Sequence, residues 1–110
     1  MKSFCGILLY TVLIGLSGTA FGQDKPAGGA AIFKANCVLC HGDDGHAQTT
    51  LGKQLGAHDL HSVEVQKKTD AALKNVITHG QKSMPPFQGQ LSSTQIGQVL
   101  AYVRQLGKKK

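Results

Sequence analysis

The 110-residue sequence predicts an all-α domain, and three observations lead to that prediction. A segment near the C-terminus repeats apolar residues at the spacing of one helix face. A second segment, "TDAALKNVITHG", has helix start and stop signals at its two ends. No segment shows the sustained apolar–polar alternation that is typical of a half-buried strand.

The first 22 residues stand apart from that domain. Residues 3–22, "SFCGILLYTVLIGLSGTAFG", contain no charge and follow Lys2. A basic start, an apolar middle and small residues at the end are typical of a secretory signal peptide, but about 20 apolar residues are also enough for an uncleaved membrane anchor. We expect residues 1–22 to be cleaved as a signal peptide, leaving residues 23–110 as one domain in an exported, oxidising compartment.

The composition of the domain indicates its partners and its need for a cofactor. Removal of Lys2 leaves 11 of the 12 basic residues against 6 acidic ones, a formal charge of +5, which favours acidic partners. The sequence contains no run of basic residues interleaved with aromatic residues, so it does not predict nucleic-acid binding. With Phe33, Phe87 and Tyr102 as its only aromatic residues, the small core would gain from a large, flat, apolar cofactor.

The first predicted helix runs from Ala27 to Cys40, "AGGAAIFKANCVLC", with Phe33 and Val38 among residues that tolerate a helix. The following stretch, "GDDGHAQTTLGKQLGAHDLHS", is rich in glycine and polar residues and has no sustained period. Residues 42–62 are therefore predicted to be mostly loop with short turns.

The middle helix has Thr69 as its N-cap, Asp70 in its first turn and Gly80 just beyond its end. The next stretch, "QKSMPPFQGQ", is predicted to be neither helix nor strand, because Pro85 and Pro86 lack the backbone N–H.

The last helix lies within "LSSTQIGQVLAYVRQLG". Ser92 and Gln95 form a capping box, and Gly107 is predicted to end the helix. Its apolar stripe consists of Ile96, Val99, Leu100, Val103 and Leu106.

The chemistry is concentrated in "CVLCH", residues 37–41. On a helix, Cys37, Cys40 and His41 share one face at positions i, i+3 and i+4. Two thiols could then reach the two vinyl groups of a haem while the imidazole meets its iron, and C-x-x-C-H is the signal for this covalent attachment.

Two other readings of the motif remain open. A redox dithiol needs a helix start after a strand, which the sequence does not predict. A structural zinc site needs two more ligands at regular spacing. The other histidines could supply them without showing such spacing, and they are His46, His58, His61 and His79.

Met84 supports the haem reading. It is the only methionine of the domain after removal of the leader, and it lies in the stiff "SMPPF" loop, where two prolines limit the backbone. A thioether is a known second axial ligand of haem iron. The alternatives are that Met84 fills a gap in the core or that a second histidine such as His79 binds the iron; we expect His79 to cap its helix and the other three histidines to face water.

The sequence from Ala27 to Gly107 resembles class I cytochromes c of the small bacterial, periplasmic, single-haem type. The resemblance rests on "CVLCHG", "LGAHDL", "NVITHG", "MPPF" and "LAYVRQLG", in that order. It implies the cytochrome c fold, three main helices and loops around one covalent haem c. It also implies that the first and last helices cross, with residues Gly29 and Phe33 against Val99 and Tyr102.

The sequence departs from that family in one respect. Many members have a proline after the C-x-x-C-H motif whose carbonyl accepts the N–H of the proximal histidine, but no proline lies between His41 and Met84. We expect a backbone carbonyl from Gly45 to Gly56 to orient the His41 ring instead.

The resemblance implies a periplasmic electron carrier that transfers one electron at a time and is not an enzyme. The alternatives are a peroxidase-like haem enzyme or a sensor with a labile Met84, or a membrane-anchored cytochrome subunit of a larger redox complex. The implied partners are redox proteins with acidic docking surfaces. We expect the protein to be a monomer and not to be inserted in a membrane once the leader is cleaved. Lys34, Lys53 and Lys82 lie near the motifs and are candidates for the docking contacts. The alternative is that these scattered lysines only solvate the surface, and we do not expect any single one of them to be essential for docking.

Overall fold

The computed structural model describes residues 27–109, so the predicted leader and its cleavage point lie outside the described residues. Residues 27–109 form six α-helices and no β-strand, in agreement with the predicted all-α class. None of these helices is long and apolar enough to cross a membrane. In chain order the helices are α1 (Ala27–Asn36), α2 (Val38–His41), α3 (Thr50–Leu55), α4 (Val63–Gln66), α5 (Asp70–His79) and α6 (Ser93–Lys108).

The first and last long helices, α1 and α6, cross in close contact. A Cβ on Gly29 would collide with the Gln98 carbonyl and would lie 3.0 Å from the Tyr102 Cβ, so only glycine allows this approach. The ring centroids of Phe33 and Tyr102 lie 5.2 Å apart, and the ring planes are tilted by 54°. Phe33 and Val99 are the most deeply buried large side chains, at 2% and 1% exposure. The crossing expected from the resemblance is therefore confirmed.

The last helix follows its sequence signals except at its end. Ser92 accepts from the Gln95 N–H and the Gln95 side chain accepts from the Ser92 N–H, which confirms the capping box. The predicted end at Gly107 is wrong, because α6 continues to Lys108. The structure gives Gly107 another role: a Cβ there would collide with the side chain of Gln66, whose amide donates to the Val103 carbonyl at 3.2 Å. All five residues of the predicted stripe are buried, namely Ile96, Val99, Leu100, Val103 and Leu106.

The prediction of one unbroken helix from Ala27 to Cys40 is wrong. The helix is interrupted at Cys37, which has φ −118° and ψ −25°. The interruption is slight, because the Cys37 N–H donates to the Phe33 carbonyl at 2.8 Å and the His41 N–H donates to the Cys37 carbonyl at 2.9 Å. The i, i+4 relation between Cys37 and His41 is thus retained.

The stretch 42–62, predicted to be mostly loop, contains the helix α3. The Thr49 side chain accepts from the Gly52 N–H at 2.8 Å and begins α3, and Gly56, at φ 68°, ends it. The Thr49 hydroxyl also donates toward the carbonyls of Leu39 (2.8 Å) and Cys40 (3.1 Å). These contacts tie α3 to α2.

The middle helix and the segment after it agree with the prediction. Thr69 caps α5 by accepting from the Ala72 N–H, and Gly80 follows the helix at φ 75°. Residues 80–91 then form turns with isolated bridges and no helix. Arg104 of α6 is joined to the first turn of α5, since its guanidinium donates to the Asp70 carboxylate at 2.9 and 3.0 Å.

Candidate haem site

Two adjoining cavities lie between the α1–α6 crossing and the segments 42–62 and 80–91. Their volumes are about 220 and about 270 Å³, and most of their lining is apolar. Eight residues line both cavities, so the two form one continuous site. The shared residues are Cys37, His41, His58, Val76, Gln81, Lys82, Met84 and Phe87.

The structure brings together all four predicted site residues. Cys37, His41 and Met84 line both cavities, and Cys40 lines the larger one. All four are half-buried. Three of them come from the end of the first helical segment and Met84 comes from the segment after α5, more than 40 residues later in the chain.

The His41 ring is held by a backbone carbonyl. Its Nδ1–H donates to the His58 carbonyl at 2.9 Å, which leaves Nε2 as the ring nitrogen free to bind a metal. Burial, the largest cause, lowers the pKa of His41, although the hydrogen bond to His58 opposes the shift. The imidazole is therefore neutral near pH 7. Our expectation of a carbonyl between Gly45 and Gly56 is wrong, because the chain turns so that His58 reaches the ring.

The Cys37 thiol does not have the lowered pKa that is typical of a redox dithiol. Cys37 and Cys40 are not joined by a disulfide. Burial, and to a lesser extent the neighbouring Cys40, raises the pKa of the Cys37 thiol to about 11, whereas reactive dithiols have a lowered pKa. The zinc reading also loses support, because no group of three or more His, Cys, Asp and Glu side chains between residues 27 and 109 is arranged to hold a metal ion.

Met84 lies in a tight turn that fixes its backbone. The Met84 N–H donates to the Gln81 carbonyl at 2.9 Å, and the Gln81 N–H donates to the Met84 carbonyl at 3.1 Å. Gly80 passes directly beside this turn: a Cβ there would lie 2.6 Å from the Met84 carbonyl oxygen and 2.8 Å from the Pro86 nitrogen. The sulfur-bearing residue is thus positioned by backbone contacts on both sides.

The other histidines differ in their distance from the site. His79 lines neither cavity, which disfavours it as an iron ligand. His58 is exposed, as predicted, but it also lines both cavities. The expectation that His46 and His61 simply face water is wrong, because both are half-buried and their rings stack. The ring centroids lie 3.9 Å apart and the ring planes differ by 12°.

Sequence reasoning missed the His58 carbonyl. Every residue has a carbonyl, so no residue type marks the one that a loop will present. The motif "LGAHDL" contains His58, but no residue type in it indicates that the His58 carbonyl orients His41.

The residues present fit a covalently attached haem. Two half-buried thiols stand three positions apart beside a neutral imidazole that has one ring nitrogen engaged and the other free. The cavities next to them are lined largely by apolar side chains, including Phe33, Leu100 and Phe87. A flat apolar ring system with two thiol-reactive groups and a metal matches that set of groups.

Comparison with known proteins agrees with this fit. Residues 24–103 match the family model described as cytochrome C oxidase, cbb3-type, subunit III. Cytochrome c6 of Nostoc sp. is 37% identical over 107 residues, which cover 88% of this chain and 88% of the relative. Subunit FixP of a cbb3-type cytochrome c oxidase, from Bradyrhizobium sp., is 38% identical over 96 residues, which cover 84% of this chain but 31% of FixP.

A solved structure gives the same result. The KustC0563 c-type cytochrome superposes with a TM-score of 0.66 at 31% identity, covering 71% of this chain and 95% of that one. The chain therefore belongs to the class I monohaem cytochromes c, and its cofactor is one covalently bound haem c.

Proposed function

We propose that this protein is an exported electron carrier whose haem c is attached through Cys37 and Cys40 and whose iron is bound by His41 and Met84. The haem supplies an iron that gains and loses one electron. The protein supplies the attachment, the two axial groups and an apolar enclosure that sets the potential.

The observation that supports this proposal most strongly is the convergence of the four side chains. They come from two segments that are distant in the chain, yet all line the same pair of cavities. A gap-filling methionine would need no such position. The His41–His58 hydrogen bond adds the support that a metal-binding imidazole usually has.

Binding of the iron by both His41 and Met84 would favour electron transfer over catalysis. An iron held by these two side chains would have no open position for a substrate or for oxygen. The peroxidase-like and sensor alternatives need Met84 to leave readily. The turn between Gln81 and Met84, closed by two backbone hydrogen bonds, opposes that movement.

The larger cavity has an apolar mouth with basic residues beside it. Leu39 and Leu55, which line it, are 73% and 42% exposed. Lys82 lines both cavities, and exposed Lys53 lies on α3 two residues before Leu55. Lys34 is exposed on α1 and lines neither cavity.

This surface supports docking to a redox partner with an acidic surface. We propose that the protein docks as a monomer. We expect the rate of electron exchange with that partner to fall as salt is added, because salt screens steering between exposed charges. A rate that does not depend on salt would contradict acidic docking but would leave the ligand assignment intact.

The ligand assignment is tested by Met84→Ala. The variant should retain covalent haem, lose the sulfur-to-iron charge-transfer band of the ferric protein, and show a lower midpoint potential. Leu91→Ala is the matched control, since Leu91 is also half-buried, lines the smaller cavity and lies in the same segment. An unchanged band and potential in Met84→Ala would contradict the proposal.

Export is tested separately, by the mass of the chain purified from the periplasm. We expect a polypeptide that begins at Gln23. A chain that retains residues 1–22 and sediments with membranes would favour the anchored alternative.

A further inference from the structure

The segment that orients His41 has no helix of its own. Residues 57–61 lie between α3 and α4, and the His58 carbonyl within them accepts the His41 Nδ1–H. The position of that carbonyl depends on whatever holds residues 57–61 in place.

Asp59, the next residue after His58, is held from two directions. One carboxylate oxygen, Oδ1, accepts the His61 backbone N–H at 2.8 Å. The other, Oδ2, lies 3.2 Å from Nδ1 of His46. The carboxylate therefore connects its own turn to the preceding loop, which contains His46.

The same two stretches are joined again beside Asp59. The rings of His46 and His61 stack at 3.9 Å and 12°, and His61 Nε2 contacts the Asp44 carbonyl oxygen. The Leu60 N–H donates to the Gly45 carbonyl at 2.8 Å. Asp59 is thus the side chain of this cluster that lies closest in the chain to the His58 carbonyl.

Asp59 remains ionised at neutral pH. Desolvation, the largest single contribution, would raise its pKa, but the hydrogen bonds from His61 and His46 together lower it below its usual value. His46 and Asp59 keep 43% and 44% of their side chains exposed. A contact this exposed adds little to global stability, so its removal should leave the domain folded.

We propose that Asp59, together with the stacked His46–His61 pair, is a positioning residue that fixes the His58 carbonyl against the His41 ring. The hydrogen bond made by the ring nitrogen that does not bind the metal controls the orientation and basicity of a metal-binding imidazole. Hydrogen bonding around the axial ligands is one of the means by which a protein tunes a haem potential. This inference rests on the proposed binding of iron by His41.

The test uses the holo-protein with Asp59→Ala, Asp59→Asn and Asp43→Ala. Two quantities are measured: the solvent-exchange rate of the His41 Nδ1 proton, by NMR, and the midpoint potential. Asn retains an oxygen that can accept the His61 N–H. Asp43 is an exposed acid of the same loop, so its removal takes away one negative charge without touching the cluster.

In Asp59→Ala we expect the His41 Nδ1 proton to exchange about fivefold faster or more, and the potential to shift, because a local contact of this size has been lost. Asp59→Asn should restore most of the protection. Asp43→Ala should leave the exchange rate unchanged.

Two results would overturn the inference. The first is an exchange rate in Asp59→Ala equal to that of the wild type. The second is an equal shift of potential in Asp43→Ala, which would make the effect one of charge alone. Failure of the proposed function is distinguishable, since a His41 that does not bind iron would show no hyperfine-shifted ring resonance even in the wild type.

Discussion

The α1–α6 crossing and the segments that line the cavities are stabilised in different ways. At the crossing, side chains pack directly on one another, with Phe33 and Val99 almost fully buried. The cavity segments 42–62 and 80–91 are held by caps, turns and backbone hydrogen bonds instead. The crossing helices contribute Phe33 and Leu100 to one wall of the cavity, whereas the two segments enclose the rest of a space that the haem is expected to fill.

The largest effect is expected from crowding the crossing. Gly29→Ala places a Cβ against the Gln98 carbonyl and should lower the free energy of unfolding by about 3 kcal/mol. Gly97→Ala is the matched control: it lies in α6, and its Cβ would meet open space. That variant should stabilise the protein by about 0.5–1 kcal/mol, because alanine favours the helix.

Denaturant titration of the two holo-variants measures the contrast. Equal and small effects at both positions would show that the close approach at Gly29 does not stabilise the domain. Opposite signs would confirm that the backbone contact at the crossing requires a missing side chain.

An intermediate effect is expected in the segment that presents Met84. Gly80 and Gly89 both have positive φ, at 75° and 87°, so alanine at either costs about 1 kcal/mol of backbone strain. Only at Gly80 would the Cβ also meet the Met84 carbonyl oxygen, at 2.6 Å; at Gly89 it meets nothing within 4 Å. Gly80→Ala should therefore weaken the sulfur-to-iron band while Gly89→Ala retains it.

The absorption spectrum of the ferric holo-protein decides this comparison. Equal loss of the band in both variants would indicate general loosening of residues 80–91. No loss in either would indicate that Met84 is not positioned by its contact with Gly80.

The smallest effect is a pH dependence from Asp59. Folding lowers the pKa of the Asp59 carboxyl group below 3.8, its value in the unfolded chain. The carboxylate therefore stabilises the protein at a pH above 3.8, and this contribution is lost as the pH falls through the lower pKa of the folded state. For so exposed a pair the loss is at most about 1 kcal/mol. Acid titration of stability should therefore be flatter below pH 4 in Asp59→Asn than in the wild type, and identical curves would contradict the contribution.

The sequence was sufficient where structure depends on local signals. The caps at Thr69 and Ser92 and the buried stripe of α6 follow from residue type and spacing. The start and end of α3 were marked by Thr49 and Gly56 as well, so that helix could have been predicted from the same rules, had the polar composition of the stretch not outweighed them.

Features that depend on contacts between distant residues were not predictable in this way. Gly107 looks like a helix terminator, but it is required by the side chain of Gln66, about 40 residues earlier. Two and three residues after the interruption at Cys37, the carbonyls of Leu39 and Cys40 accept from the hydroxyl of Thr49, the N-cap residue of α3. The choice of the His58 carbonyl depends on the path of a loop, which no residue type determines.

For the site, residue chemistry was more informative than secondary structure. The C-x-x-C-H motif and an isolated methionine before two prolines indicated four side chains, and the structure places all four at one pair of cavities. Their bonds to the haem stay a prediction, because proximity to a cavity does not by itself identify a ligand.

The attachment of the haem is tested most directly by the mass of one tryptic peptide. Cleavage after Lys34 and Lys53 releases residues 35–53, which contain Cys37, Cys40 and His41. We predict that this peptide has the mass of its residues plus one haem and that neither cysteine reacts with an alkylating reagent. A peptide of unmodified mass that is alkylated at both cysteines would contradict the account.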